Sequence, residues 1–289
     1  MEEGAWFVGA NVFGTTTRVR HDAPYDVPPS KHDQRFYIGE LRLSAAYGLS
    51  DSLAMEIQVP YRVTKATVKF ENLGGAELPP GYESIHHRNE TIQGFGDPRV
   101  GGRSGWTIAG ADASLGLGLT VPFGNIERNP FRLGDEGKKH QHIQFGTGTF
   151  NPWVDLYARR PLGPVTLGVG GGALLPWQDN QYGYRAGTRL NGGVSVSLPA
   201  WRKLESGVRV DIAHEEAERW DGRVQADGNI GRTEVLVAGS LGYPIGGVRV
   251  SLDVAVPVWR RVPKGHGDQG QLEYPGVVGV GITRSFGAD

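Results

Sequence analysis

At 289 residues the chain has room for one large β domain or two ordinary ones, and its formal net charge of −1 lacks the basic field that nucleic-acid binding needs. It has no cysteine, which excludes a disulfide framework, a thiolate metal site and a cysteine nucleophile. Its 45 glycines are about twice ordinary usage without a collagen period, and no apolar run approaches the roughly 18 residues of a membrane helix.

The opening Met1-Glu2-Glu3 runs almost directly into Ala5-Trp6-Phe7-Val8, so no signal peptide is visible and the sequence reads as a mature chain with an added Met. From there, apolar and polar residues alternate in segments of barrel-strand length. The spacing predicts strands near 5–17, 35–48, 53–65, 95–108, 111–123, 146–160, 164–176, 183–198, 204–214, 232–243, 248–260 and 276–286. Period 2 is plainest in Leu53-Ala54-Met55-Glu56-Ile57-Gln58-Val59 and in Val248-Arg249-Val250-Ser251-Leu252-Asp253-Val254. A strand sends successive side chains to opposite faces, so each such segment carries one greasy stripe and one charged stripe. No window shows sustained helical spacing.

The connections alternate in length. Those at 49–52, 109–110, 161–163, 199–203 and 244–247 are short and rich in turn residues, whereas 18–34, 66–94, 124–145, 177–182, 215–231 and 261–275 are mostly long and polar. This rhythm predicts an all-β, up-and-down antiparallel transmembrane β-barrel of about 12 strands, a single domain over 1–289, with short periplasmic turns and long extracellular loops. The mean hydropathy of −0.34 fits, because half of each barrel strand faces the lumen.

Aromatic residues fall where a bilayer's polar boundaries would want them. Tyr47, Trp106, Tyr243 and Phe286 sit at the turn end; Tyr37, Tyr61, Phe123, Phe150, Trp177 and Tyr184 sit at the loop end. Pro60, Pro122, Pro176 and Pro257 recur near the ends of upward strands, where a missing N–H is tolerated at a rim or bulge. A soluble sandwich alternates equally well but has no reason to sort loops by parity or to ring both ends with aromatics.

If the aliphatic stripe faces lipid, the opposite positions line the interior. They comprise Arg42, Arg62, Arg99, Arg103, Arg159, Arg185, Arg189, Arg209 and Arg249, facing Glu40, Glu56, Asp97, Asp112, Asp155, Glu205, Asp211, Glu234 and Asp253. Arginine's planar fork suits paired carboxylates, and such pairing either braces the wall or forms a polar track. Asp97, Arg99 and Arg103, with Arg62 and Asp155, are expected to set bore and polarity, and Gly94 and Gly96 to let that strand bend inward.

All eight histidines fall in or beside the long loops. His86 and His87 with Glu90, or His140 with His142, are candidate metal ligands, although no spacing among them is diagnostic and no cofactor is expected. No Ser–His pair stands on the lipid-facing wall, so the chain does not read as an enzyme.

The stretch Leu41-Arg42-Leu43 through Tyr47-Gly48-Leu49-Ser50-Asp51, then Ile57-Gln58-Val59-Pro60-Tyr61, then Gly94-Phe95-Gly96-Asp97-Pro98-Arg99, resembles the outer-membrane proteins grouped with meta-pathway phenol degradation. The resemblance is specific over 35–125 and general elsewhere. It implies passive uptake of small organic, often aromatic, molecules. The last strand, ending Arg284-Ser285-Phe286, resembles the signal read by the barrel assembly machinery, except that Arg284 stands where an aromatic is expected. The segment 79–91 is long for a simple pore and is expected over or in the mouth. The reading is thus a channel or facilitator in the bacterial outer membrane, its partners lipid and a small-molecule solute. Its rival is a non-conducting structural barrel whose lumen is sealed by ion pairs and whose loops bind a metal or a partner.

Overall fold

In the computed structural model, residues 2–23, 28–79, 84–226, 228–263 and 273–287 are described. Alternation of side chains makes each segment a strand with one face for lipid and one for the interior, and antiparallel pairing then runs in sequence order. The first hairpins are β1 (Trp6–Ala23), β2 (Ser30–Ser50) and β3 (Leu53–Asn72). A broken strand follows as β4 (Glu90–Phe95) and β5 (Arg99–Ile108), then β6 (Ala111–Thr120), a one-turn helix α1 (Pro130–Asp135), β7 (Asn151–Leu162) and β8 (Val165–Leu174). The rest are β9 (Tyr184–Arg185), β10 (Arg189–Trp201), β11 (Leu204–Glu215), β12 (Arg219–Trp220), β13 (Arg232–Ile245), β14 (Val248–Arg261) and β15 (Val277–Phe286).

With β4 and β5 counted as one, the sheet closes as a 12-stranded antiparallel barrel. Closure comes from β1 pairing with β15, from Trp6 opposite Phe286 to Gly14 opposite Val278. An open sheet edge in hydrocarbon would strand unpaired N–H and C=O groups, so this seam is what makes the fold viable in a membrane. Trp6 and Phe286, paired at the seam, both lie at the turn end.

Turn chemistry follows local sequence. Ala109–Gly110, Arg202–Lys203 and Gly246–Gly247 all take positive φ at both positions, the geometry that lets a two-residue hairpin match strand twist. Strand boundaries move outward from the sequence expectation chiefly in the first three strands. There, β2 and β3 run 21 and 20 residues, about twice what spans a bilayer, because their pairing continues into what the sequence presented as loop. Conversely, 146–150, expected to open a strand, belongs to a loop. The absence of helical spacing is also qualified by α1, six residues held by the Asn129 side chain, which accepts from the N–H groups of Phe131 and Arg132.

The prolines behave as their missing donors require. Pro60 lies opposite the break between β4 and β5, where its carbonyl still accepts from Gly96 N at 2.9 Å. The β13–β14 register shifts between Val235 and Leu236, which oppose Trp259 and Pro257 and leave Val258 as the extra residue. Pro122 and Pro176 follow the last residues of β6 and β8.

The aliphatic stripe faces outward: Val12, Met55, Leu117, Val194, Ile212, Leu252 and Val280 are exposed. So are Tyr37, Trp106, Phe123, Phe150, Trp177, Tyr243 and Phe286 of the expected girdles. Tyr184 departs from that expectation: it is 5% exposed, inside a small cluster with Ala186 and Trp220. Arg284 stacks its guanidinium over Phe286 at 5.9 Å at the turn-end rim. His266 and residues 80–83 of the expected mouth loop lie outside the described residues.

An arginine at the lipid-facing midpoint of β14 should separate the two faces thermodynamically. Leu252→Arg is expected to lower stability in lipid vesicles by about 2–4 kcal/mol, measured by denaturant unfolding. Asp253→Asn, one residue away on the lumen face, should cost less than about 1 kcal/mol. Equal costs would refute the assigned facing.

Candidate functional site

Inward positions of neighbouring strands bring the lumen charges together as ion pairs. Arg103 forks onto Glu56 at 2.8 and 3.0 Å and reaches Asp155 at 3.4 Å, while Arg99 holds Asp155 at 2.9 Å. Toward the turns, Arg159 meets Asp112 at 3.3 Å and Arg249 meets Glu205 at 2.7 Å. On the other wall Arg209 binds Asp211 at 2.6 Å and approaches Asp253 at 3.8 Å. Toward the loops, Glu40 bridges Arg42 and Arg62, Glu215 bridges Arg189 and Arg232, and Arg260 binds Glu234.

Trp153, 3% exposed, is the large residue that alternation alone did not single out. It projects inward from β7 and lies against glycine backbone: a Cβ on Gly101 or Gly118 would stand 2.5 or 2.6 Å from its ring. Arg99 covers the other side at 4.4 Å. Arg99, Arg103, Glu56, Asp155, Gln58, Ser44, Phe7 and Trp153 line a cavity of about 240 Å³. The signal was available in the glycines of β5 and β6, which leave room for a bulky neighbour across the ladder.

Two expected lumen residues have other surroundings. Asp97 pairs with no arginine among the described residues: it accepts from Gly124 N at 2.9 Å, Thr147 N at 2.7 Å and Thr147 Oγ1 at 2.6 Å, and so ties the 121–150 loop to the strand break. Arg185 is not on the barrel wall; it lies in β9, paired with Asp179 at 3.2 Å. Gly94 lies near the end of β4 and Gly96 opens the break, and packing gives each a reason to lack a side chain. A Cβ on Gly94 would stand 2.3 Å from the Asn125 amide oxygen, and one on Gly96 3.1 Å from the Phe145 carbonyl.

These contacts anchor a cap at the loop end. Asn125 exchanges hydrogen bonds with Phe95, and inward-facing Arg62 donates to Phe145 O at 2.9 Å. Asn151, fully buried, donates through Nδ2 to Thr120, Thr147 and Thr149 oxygens. Above them, β9 pairs with β12, placing Tyr184 beside Trp220, 4.8 Å between ring centroids. Phe131 of α1 packs on Trp220, and Arg132 binds Asp221 at 2.7 and 3.0 Å. Burial pushes the Glu218 carboxyl up and the Tyr184 hydroxyl up.

The candidate histidines divide. His86, His140 and His142 converge beside α1, their nearest ring nitrogens all within 4.8 Å of one another. Glu90 is held by Arg88 at 2.9 Å, and His87 lies against His32, ring centroids 5.0 Å apart. Burial, with His140 and His86 adding to it, pushes the His142 imidazole down to about 4.

A separate groove of about 800 Å³ lies on the barrel wall, lined by Gly14, Thr16, Tyr37, Ile38, Val63, Val254, Val277 and Val278 among others. It forms because β15 ends its ladders at Val277 and Val278, while β1 and β14 continue past it.

The chain is similar to the COG4313 outer membrane channel from Pseudomonas putida F1, with a TM-score of 0.64 and 14% identity over 99% of this chain and 97% of that one. Weaker likenesses are to a TodX monoaromatic hydrocarbon channel mutant (TM-score 0.46, 8% identity, 100% and 91% covered) and to the β domain of the Bordetella autotransporter BrkA (0.44, 14%, 98% and 100%). No family model and no curated protein matches the sequence. At these identities the likeness establishes the barrel fold, and the grouping with phenol degradation rests on its motifs alone.

Asp97→Ala removes the shared acceptor of three donors, at about 1.5–3 kcal/mol for each bond to a charged group. The expected outcome is faster proteolysis within 121–150 while the barrel keeps its folded electrophoretic mobility in detergent. Unchanged protection would show that Asp97 does not hold the cap.

Proposed function

We propose that this protein is a bacterial outer-membrane channel for passive entry of small organic molecules through a narrow polar lumen, its turns periplasmic and its capped end extracellular. The observation that carries this reading is that inward-facing charged side chains remain wet along the barrel. Arg99 and Asp155 are 36% and 31% exposed, Arg209 and Asp211 44% and 32%, and Arg249 and Glu205 45% and 49%. A bore packed dry by ion pairs would bury them.

In this reading Arg62, Arg99, Arg103, Asp155, Arg159, Arg189, Arg209 and Asp253 act as a paired track. A polar solute exchanges hydration for arginine and carboxylate contacts at each level, and the near balance of charge gives weak ion selectivity. The stacked Arg99 and Trp153 offer an aromatic ring a flat neighbour at the cavity. The apolar wall groove supports including aromatic and hydrophobic solutes in the class. Assembly would use the last strand, read by the barrel assembly machinery. The cap favours the rival reading, a sealed barrel, because its loops pack on one another and on inward-facing Arg62.

Single-channel recording in a planar bilayer decides between them. Discrete steps are expected, with brief blocks on adding a small aromatic acid or alcohol, and an altered conductance in Arg99→Ala and Arg103→Ala. A folded but silent barrel would overturn the channel reading in favour of the sealed one.

A further inference from the structure

We propose that His86, His140 and His142 form a binding site for a divalent transition metal of the zinc, copper and nickel class, which fastens the 84–88 segment to the cap. This goes beyond the channel reading and does not depend on it.

His140 Nδ1 lies 2.8 Å from the Lys138 carbonyl, which can only accept, so Nδ1 carries the proton and Nε2 presents its lone pair. Among the described residues that Nε2 is buried with no hydrogen-bonding partner, and so is His142 Nδ1. His140 as a whole is 5% exposed. A buried ring nitrogen left without a partner is costly, and two such atoms belong to the members of one histidine cluster. A cation bound by both removes the penalty at once.

The geometry suits a metal better than a proton. The candidate ligand atoms lie within 4.8 Å of one another, whereas tetrahedral zinc with bonds of about 2.0–2.1 Å sets its nitrogens roughly 3.4 Å apart. Closing that gap needs a shift of up to about 1.4 Å, and His86 is the exposed member able to supply it. Its exposure also gives the ion an entry path. The Lys138 carbonyl plays the outer role that metal-binding imidazoles need, fixing the tautomer and orienting the ring.

The donor set defines the class of ion. Three neutral imidazoles, with no carboxylate joining them among the described residues, select against calcium and magnesium, which require oxygen ligands, and leave a fourth position open to water. Glu90, four residues from His86, is engaged by Arg88.

The cluster joins two segments already in contact, since His140 N donates to Ile85 O at 3.2 Å and Arg88 donates to His140 O at 3.2 Å. A metal would convert these contacts into a cross-link between the β3–β4 loop and the cap. Gly134 of α1 closes the floor: its Cβ position stands 3.2 Å from His140 Cε1 and 3.6 Å from His86 Cε1.

The test is calorimetric titration of the full-length, tag-free protein in detergent after chelation, with zinc, copper and nickel chlorides, and with calcium and magnesium chlorides as controls. Saturable binding of one zinc per chain is expected, with none for calcium or magnesium. His140→Gln and His142→Gln, which keep polar volume in place, should each weaken zinc at least 10-fold, while His214→Ala leaves it unchanged. Proteolysis between residues 84 and 88 should slow with zinc and recover with chelator. Absence of saturable zinc binding, or binding indifferent to the His140→Gln and His142→Gln changes in proteins of normal folded mobility, would overturn the site. Tight binding with unchanged proteolysis would overturn the latch.

Discussion

The seam between β1 and β15 is the constraint on which the rest depends. In hydrocarbon no water replaces a lost backbone partner, so twelve strands that failed to meet would present two edges of unpaired groups to lipid. Residues 6–14 pair with 278–286 across nearly the whole chain, and every local feature is compatible with that return. Short left-handed turns at one end keep neighbours in register. At the other end, where no bilayer restricts the chain, β1, β2 and β3 outgrow the membrane and the connections lengthen.

Closure then sorts the side chains. Outward positions must be apolar, so the chain's charges crowd the inward ones, and the cost of enclosing them is met by pairing. The arginine fork is suited to this: Arg103 binds Glu56 with two donors and still reaches Asp155. Since the pairs stay partly wet, each contributes little stability on its own. Their larger effect is on shape, because a guanidinium held against one wall leaves open the space beside it. Glycine serves the same end where Trp153 lies flat across Gly101 and Gly118.

The mouth is organised around a defect in the wall. At Gly96-Asp97-Pro98 the strand interrupts its ladder opposite Pro60, whose missing N–H makes that position cheap to leave unpaired. Asp97 redirects the freed bonding capacity to the backbone of Gly124 and Thr147. From there the 121–150 loop reaches α1, and α1 meets the β9–β12 ribbon around Trp220. Barrel lumen and cap are thus joined through one interrupted strand, with lumen-facing Arg99 two residues from cap-binding Asp97.

The order of strands, the parity of loops and the face each residue turns to lipid were legible in the sequence, because all three are local and a period of 2 reports them within one strand. Leu252 outward and Asp253 inward follow from their neighbours alone. The same parity named the candidate lining residues, although Arg185 lies off the wall and Asp97 meets Gly124 and Thr147 instead. What the sequence did not reveal was who meets whom: Asp97 looked like a lumen charge, Tyr184 like a girdle residue, and His86 and His140 like members of separate pairs. Those outcomes depend on contacts between residues far apart in the chain, such as Arg132 with Asp221, 89 positions away, and Arg99 with Asp155, 56 away. Such contacts are set by how polar loops pack over a closed barrel, where no periodicity constrains them. The sequence by itself determined the barrel and its two faces; only the tertiary structure decided the cap, because side-chain alternation carries no information once the chain leaves the sheet.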